Sequence, residues 1–402
     1  MRILVHDFGG YAFPVQLSEA LHTRGYEVVH MYCDSHQTTP PGVTEAANSN
    51  AGFRIEAISL PTPLNKYNLV KRWQQERLYG RLAAAAIASL QPDVVLSANT
   101  PLDAQIKIQR TCAAHSIPFV FWLQDLISIA TNQILSQKIP VAGHMVGALY
   151  TALEKKLLQR SDAIVAITDG FSNQLRRWSV DMQRVVTIPN WAPINRIPVT
   201  DKRNAWAQAQ RLDNAFCFMY TGTLGMKHNP AFLLELAKAF RNQNDVRVVV
   251  VSQGKGASWL ATEKEKLHLD NLLLYPYQPA DQLPQVLGTA DVLVALLDAK
   301  AGAFSVPSKV LTYLCAQRPL LLALPKDNQA ATLVKTINAG LITGSEDKQA
   351  FIAGAQQLYA DQAQRNTLGQ HARAHAKEAF SIEKICTAFE EALNHAINKP
   401  TS

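Results

Sequence analysis

Five cysteines in 402 residues, scattered at 33, 112, 217, 315 and 386, form no C-x-x-C pair and no metal-ligand spacing. An odd, dispersed set predicts reduced, buried thiols and argues against a disulfide framework or a cysteine-held metal. Charge is also scarce, at 18% of residues against 48% hydrophobic, so a chain of this length holds enough apolar material for two cores. No uncharged run combines spanning length with continuous hydrophobicity, and no transmembrane helix is predicted. The first residues, MRILVHDF, enter a strand without a basic segment, an apolar core or a small-residue cleavage site. No signal peptide is therefore expected, which predicts a cytoplasmic protein, soluble or peripheral on a membrane. G-x-G-x-x-G and P-loop spacings are both missing, which disfavours a nicotinamide dehydrogenase and a nucleoside triphosphatase. His6, His144 and His228 are too far apart in sequence to nominate a metal site, and no nucleic-acid-binding motif is present.

The chain does carry 39 lysines and arginines against 32 acids, a formal charge of +7 that predicts affinity for phosphate groups or an anionic lipid surface. Short β-branched runs alternate with amphipathic stretches, the pattern of repeated βα units and a parallel sheet. Strands are predicted at 3–8, 27–32, 54–60, 93–97, 118–123, 163–167 and 185–188. A second series is predicted at 217–221, 246–252, 272–275, 292–296, 320–324 and 340–343. Between the series, IPNWAPINRIPVTDKRN (188–204) holds three prolines and no regular period, and reads as a linker. The expected organisation is an N-terminal domain over 1–195, a second over 205–380, and a helix at 381–402 able to cross back to the first. The predicted fold class is α/β, two Rossmann-like, doubly wound parallel-sheet domains facing across a cleft, with ligands at the carboxyl ends of the strands.

Three loops have the residues for holding an anion. FGGYAFP places Gly9 and Gly10 between a strand and a helix start, where a diphosphate can approach bare backbone and a helix N-terminus, although a simple tight turn accounts for the glycines equally well. GTLGMKHN supplies Gly222, Gly225 and Lys227 just before a helix near Pro230; a solvated lysine in a turn is the alternative. GAFSVPSKVLTYLCAQRP brings Ser305, Ser308 and Lys309 to another helix start, with Pro307 suited to the first helical position; a helix cap with a surface lysine is the alternative.

YTGTLGMKHNPAFLLELAKAF, QGKG, LPQVLGTADVLVALL and VPSKVLTYLCAQRP together resemble the C-terminal domain of family-4 retaining glycosyltransferases of GT-B fold. The likeness is greatest to the branch of colanic-acid and O-antigen fucosyl- and amino-sugar transferases. It spans nearly the whole chain and is most specific over 218–328, with TDGFSNQL and IPNWAP similar in style. The resemblance implies that Gly222, Thr223 and Lys227 face the pyrophosphate of a nucleotide-sugar donor, and that Ser305 to Lys309 hold its phosphates and sugar. Gly9 and Gly10 join the expected donor set. Family members carry two glutamates with seven residues between them; Phe304 and Thr312 stand at those places, leaving Thr312 a donor contact without a carboxylate. An arginine often found near Thr223 is absent, and Gln317 replaces the usual glycine before Arg318. Lys227 and Lys309 are then the main cations for the diphosphate.

Asp125 follows FVFWL, where relatives carry a His-Asp or Arg-Asp pair, and is the candidate for orienting the acceptor hydroxyl or taking its proton; an N-cap or turn role fits it as well. No metal or other cofactor is expected, the nucleotide sugar being a substrate. The expected reaction is retaining transfer of a sugar to a lipid-linked or glycan acceptor in bacterial surface-polysaccharide assembly. A non-hydrolysing sugar-nucleotide epimerase needs more ionisable loop residues than this chain has; an inactive, donor-binding scaffold is favoured by the two missing glutamates, and a sugar-nucleotide hydrolase would release free sugar. Finally, residues 126–153 hold Lys138 as their one Lys, Arg, Asp or Glu, broken by Pro140 into two apolar helices. LNKYNLVKRWQQERLYGR interleaves Lys66, Lys71, Arg72, Arg77 and Arg81 with Tyr67, Trp73 and Tyr79. Together these segments predict docking on the inner membrane leaflet, against the alternative that the apolar pair packs inside the domain.

Overall fold

The computed structural model describes residues 1–35, 52–65, 68–98, 100–138, 140–299 and 308–398. They divide into two units, Met1–Asn190 with Ile382–Ser402, and Trp191–Ser381.

The first unit is built on β1 (Arg2–Asp7), β2 (Glu27–Cys33), β3 (Phe53–Ile58), β4 (Val94–Ala98), β5 (Phe119–Leu123), β6 (Ala163–Ala166) and β7 (Val185–Thr187). All pairings are parallel in the order β3-β2-β1-β4-β5-β6-β7, so the topology reverses between β1 and β4. Helices α1 (Ala12–Thr23), α2 (Leu69–Leu90), α3 (Leu102–Ala114), α4 (Ile127–Lys138), α5 (Pro140–Arg160) and α6 (Ser172–Arg177) lie between strands. Strands covered on both faces are apolar almost throughout, as β4 and β5 are, because neither side meets water.

The second unit repeats the plan with β8 (Phe216–Thr221), β9 (Val246–Val251), β10 (Leu272–Tyr275), β11 (Val292–Leu296), β12 (Leu320–Ala323) and β13 (Gly340–Thr343), ordered β10-β9-β8-β11-β12-β13. Its described helices are α7 (Ala205–Ala209), α8 (Ala231–Ala239), α9 (Lys255–Leu267), α10 (Leu283–Thr289), α11 (Ser308–Cys315), α12 (Gln329–Thr336), α13 (Lys348–Ala360) and α14 (Gln362–Ala379). The last helix, α15 (Ile382–Ile397), belongs to the first unit. Its Phe389 is fully buried, with its ring centroid 4.7 Å from that of Trp122 on β5. Burying such a side chain stabilises by about 1.5–3 kcal/mol. Arg24 at the end of α1 holds the helix from the other side, pairing with the Glu390 carboxylate and donating to Thr387 Oγ1 at 3.0 Å and the Glu383 carbonyl at 2.6 Å.

The proline-rich segment divides earlier than the expected limit at 195. Trp191 and Ala192 are buried, and the stretch beyond them is tied down in the second unit by Arg318, which donates to Thr200 O at 3.0 Å, and Arg373, which donates to Ile197 O at 2.9 Å. Tyr79, expected among interfacial aromatics, instead lies in the first core, where its hydroxyl meets His6 Nε2 at 2.8 Å. Lys66 and Tyr67 lie outside the described residues.

Candidate functional site

At the topological reversal of the second sheet, between β8 and β11, the loop after β8 carries Lys227, and α11, the next described helix after β11, carries Lys309 in its first turn. Open parallel sheets bind ligands at such a point, because neighbouring loops diverge there and leave a crevice. Gly222, immediately after β8, has φ +96°, a conformation a side chain would strain; a Cβ there would lie 3.6 Å from the Lys309 ammonium. The β8 loop is braced from behind. Ser252 Oγ donates to Gly222 O at 2.7 Å, and Leu224 N and O are engaged by Gln253 O and Gly256 N at 3.0 and 2.9 Å. A Cβ on Gly256 would approach Leu224 O to 2.7 Å, so QGKG is a close-packing loop against the lysine-bearing one.

Lys309, in the first turn of α11, donates to the Tyr220 hydroxyl, and its Nζ stands 3.6 Å from the Tyr220 ring centroid. Burial, with a further contribution from Lys227, lowers its pKa to about 7. Tyr220 Oη in turn donates to Thr223 O at 2.9 Å, and the buried Tyr313 hydroxyl accepts from Thr221 N at 2.8 Å. Thr223 is exposed, its hydroxyl bonded to that of Tyr277. Lys227 is exposed in the turn of 3₁₀ helix Met226–His228. His228 Nδ1 accepts from Gly225 N at 3.0 Å; desolvation and the two lysines lower its pKa to about 4, so the ring is neutral at pH 7. The arrangement offers an anion two ammonium groups, a hydroxyl and glycine backbone.

Gly222, Thr223, Lys227 and Lys309 thus come together, with Ser308 exposed beside Lys309 and Thr312 half-buried one turn further along α11. Ser305 lies outside the described residues, as does Phe304. Tyr220 and Tyr313 could not be picked out from sequence as site residues, because they follow the pattern of strand and helix core residues, and Tyr277 is one aromatic in the loop after β10; an aromatic at a strand's carboxyl end beside a glycine turn was the available signal for Tyr220.

Gly9 and Gly10 are differently placed, in the first unit. Asp7, buried at the end of β1, accepts from Gly9 N at 3.3 Å and Tyr11 N at 2.6 Å through its carboxylate, and from Gly10 N at 3.3 Å through its carbonyl. Two of these amides are spent on a resident carboxylate, which would also repel a diphosphate, and the third on a backbone carbonyl. The loop is thus folded onto Asp7 ahead of α1, an arrangement that counts against the expected donor role of both glycines. Asp125 is exposed just past β5 and close enough to raise the pKa of Tyr11, after burial and Asp7. Its loop is fixed by Glu154, a buried carboxylate on α5 that accepts from Ile127 N at 3.0 Å, Ser128 N at 3.1 Å and Ser128 Oγ at 2.6 Å. Among the described residues no group of three or more His, Cys, Asp or Glu side chains converges where a metal could sit.

Known proteins with this geometry are informative. A family model described as a glycosyl transferase 4-like domain matches residues 9–191, and one described as glycosyl transferases group 1 matches residues 202–375. The chain is similar to the putative colanic acid biosynthesis glycosyl transferase WcaI of Escherichia coli (strain K12), 24% identical over 251 residues, or 61% of this chain and 60% of that protein. It therefore spans about 60% of that relative's length. Among solved structures, Anabaena Alr3699/HepE in complex with UDP-glucose superposes with TM-score 0.72 at 14% identity, covering 98% of this chain and 99% of that one. WaaG, a glycosyltransferase involved in lipopolysaccharide biosynthesis, does so with TM-score 0.67 at 11% identity, covering 98% and 99%. At such identities the solved structures establish the fold, and with the two family models laid end to end over it, the chain belongs to the family-4 glycosyltransferases of GT-B fold.

Proposed function

We propose that the protein transfers a sugar, with retention, from a nucleoside-diphosphate donor to a lipid-linked or glycan acceptor in surface-polysaccharide assembly. The observation that carries this reading is the Lys309–Tyr220–Gly222 cluster with Lys227 on the neighbouring turn, a cationic cradle at the reversal of the second sheet. Relatives support the donor class and setting: Alr3699/HepE is known bound to UDP and UDP-glucose, and WcaI bears a colanic acid name. In this reading the anomeric carbon's bond to the diphosphate oxygen breaks as Lys227 and Lys309 neutralise the leaving charge, without need of a metal. The acceptor oxygen attacks from the same face, and its proton passes to the departing phosphate oxygen. Asp125 orients the acceptor hydroxyl and is not required as an obligatory base. Replacing either lysine by alanine should lower transfer by about one to two decades, since a charge-assisted bond contributes about 1.5–3 kcal/mol. Normal turnover in both variants would refute the site.

The absence of a glutamate at Thr312 favours a second reading, a scaffold that binds donor without turning it over. A thermal-shift screen across uridine, guanosine, adenosine and thymidine diphosphates, followed by an acceptor assay with the stabilising nucleotide's sugar, separates the two.

A further inference from the structure

Three residues spaced four apart on α5, Val141, Met145 and Leu149, are 79%, 72% and 57% exposed, with Val146 beside them. Such spacing sets them in one ridge along the helix, and from Pro140 to Leu153 the chain has no Lys, Arg, Asp or Glu. The ridge cannot turn inward, because the side of α5 that packs on α4 is taken by Gly143 and Gly147. A Cβ on Gly143 would lie 2.2 Å from Leu135 O, and one on Gly147 would lie 2.1 Å from Asn132 Oδ1. Two helices in such close contact fix which face looks outward. This is where the structure decides against the apolar pair being wholly internal.

The basic segment meets the same surface. Tyr150 on α5 bonds to the Asp103 carboxylate on α3, the helix on which α2 packs, and is near enough to Trp73 and Glu76 of α2 for both to influence its pKa, so the first turns of α2 lie beside the ridge. Leu69, Val70 and Trp73 are exposed in those turns, and Lys71, Arg72, Arg77 and Arg81 are exposed over the first four turns of α2. Arg77 stacks over Trp73 at 4.6 Å from the ring centroid, and Glu76, the one acid of α2, is paired with Arg72 at 2.7 Å. The surface is thus an apolar ridge, a tryptophan and a net-cationic margin, all within one unit.

We propose that this surface docks the first unit on an anionic lipid bilayer, the α5 ridge and Trp73 entering the headgroup boundary and the α2 cations lying over the phosphates. Charge complementarity selects this occupant. A second copy of the chain seated on the surface would set the same cations against one another, whereas an anionic leaflet attracts each of them. No helix of the described residues is long and apolar enough to cross a membrane, so the contact is with the surface. The inference goes beyond sugar transfer and is read without donor or acceptor, so its failure and that of the transfer reading are separable.

Flotation of the full chain with vesicles tests it. Phosphatidylglycerol vesicles should carry the protein upward at low salt, phosphatidylcholine vesicles should not, and high salt should release it. Reversing Lys71, Arg72, Arg77 and Arg81 to glutamate should abolish flotation, each charge contributing about fivefold. Met145→Gln with Leu149→Gln, both exposed and so neutral to folding, should weaken binding at least about tenfold; an unchanged melting temperature verifies the fold. Wild-type protein that stays at the bottom at low salt, or a glutamine variant that floats as well as wild type, overturns the proposal. So does a concentration-dependent dimer in sedimentation that the glutamine variant abolishes while wild type ignores both vesicles.

Discussion

At the scale of the residue, Lys309 holds the second unit's electrostatic tension, a half-buried ammonium against an aromatic ring with another lysine nearby. With its pKa lowered to about 7, the group is largely neutral in the empty site above that pH. A bound diphosphate favours the charged form, so binding above pH 7 must draw a proton from solution. Donor affinity is therefore expected to fall as pH rises from 7, by up to about tenfold per unit. Calorimetry in two buffers of different ionisation enthalpy checks this as net proton uptake, which Lys309→Ala should erase. Gln317 offers a simpler test. It sits at φ +57°, a left-handed conformation that glycine adopts without strain, so Gln317→Gly should stabilise the second unit by about 1 kcal/mol in urea unfolding. The two lysines were legible in the sequence only as two separate motifs at a glycine or a helix start, each of which a solvated lysine would fit as well; the structure brings them to the same place. The role of Asp7 was not legible: a carboxylate ending an apolar strand looks the same whether it faces solvent or closes the next loop upon itself.

At the scale of the element, all thirteen strands of the described residues were legible, since short apolar runs bounded by turns and alternating with longer amphipathic stretches are the pattern of a parallel α/β sheet. What periodicity could not show is which polar groups face each other across strands. His6 and His30 lie on neighbouring strands, both fully buried; His6 Nδ1 meets Ser97 Oγ at 2.7 Å, and His30 Nδ1 meets Ser18 Oγ at 2.9 Å. Burial lowers each pKa to about 3. The unfolded chain takes up these protons near pH 6.5 and the folded one does not until about 3. Stability contributed by the neutral pair is thus present above pH 6.5 and is lost as pH falls toward 3. Equilibrium unfolding across that window should show the first unit weakening, and His30→Gln should flatten the slope. Glu154 makes the corresponding case for a helix start. Glu154→Ala would leave two backbone amides and a hydroxyl unsatisfied at the head of α4, an expected cost of about 2–4 kcal/mol by urea titration.

At the scale of the whole molecule, the two units share one strand order yet handle their first loops oppositely: an acid closes the loop after β1, and lysines open the one after β8 to anions. The sequence showed both glycine loops but not this asymmetry, which depends on where one carboxylate and one aromatic ring point. The composite first unit carries a further expectation. Deleting residues 382–402 removes Phe389 from Trp122 and Glu390 from Arg24, so the first unit should melt earlier, read as a lower transition in scanning calorimetry, while the second unit's transition stays in place. The same feature reverses the usual order of biosynthesis. A ribosome delivers α15 after the whole of the second unit, so the first unit is completed only once every residue of the second has been made. Until α15 emerges, the Trp122 flank of the nascent first sheet is open, and a chaperone or protease has the whole synthesis time of the second unit in which to find it.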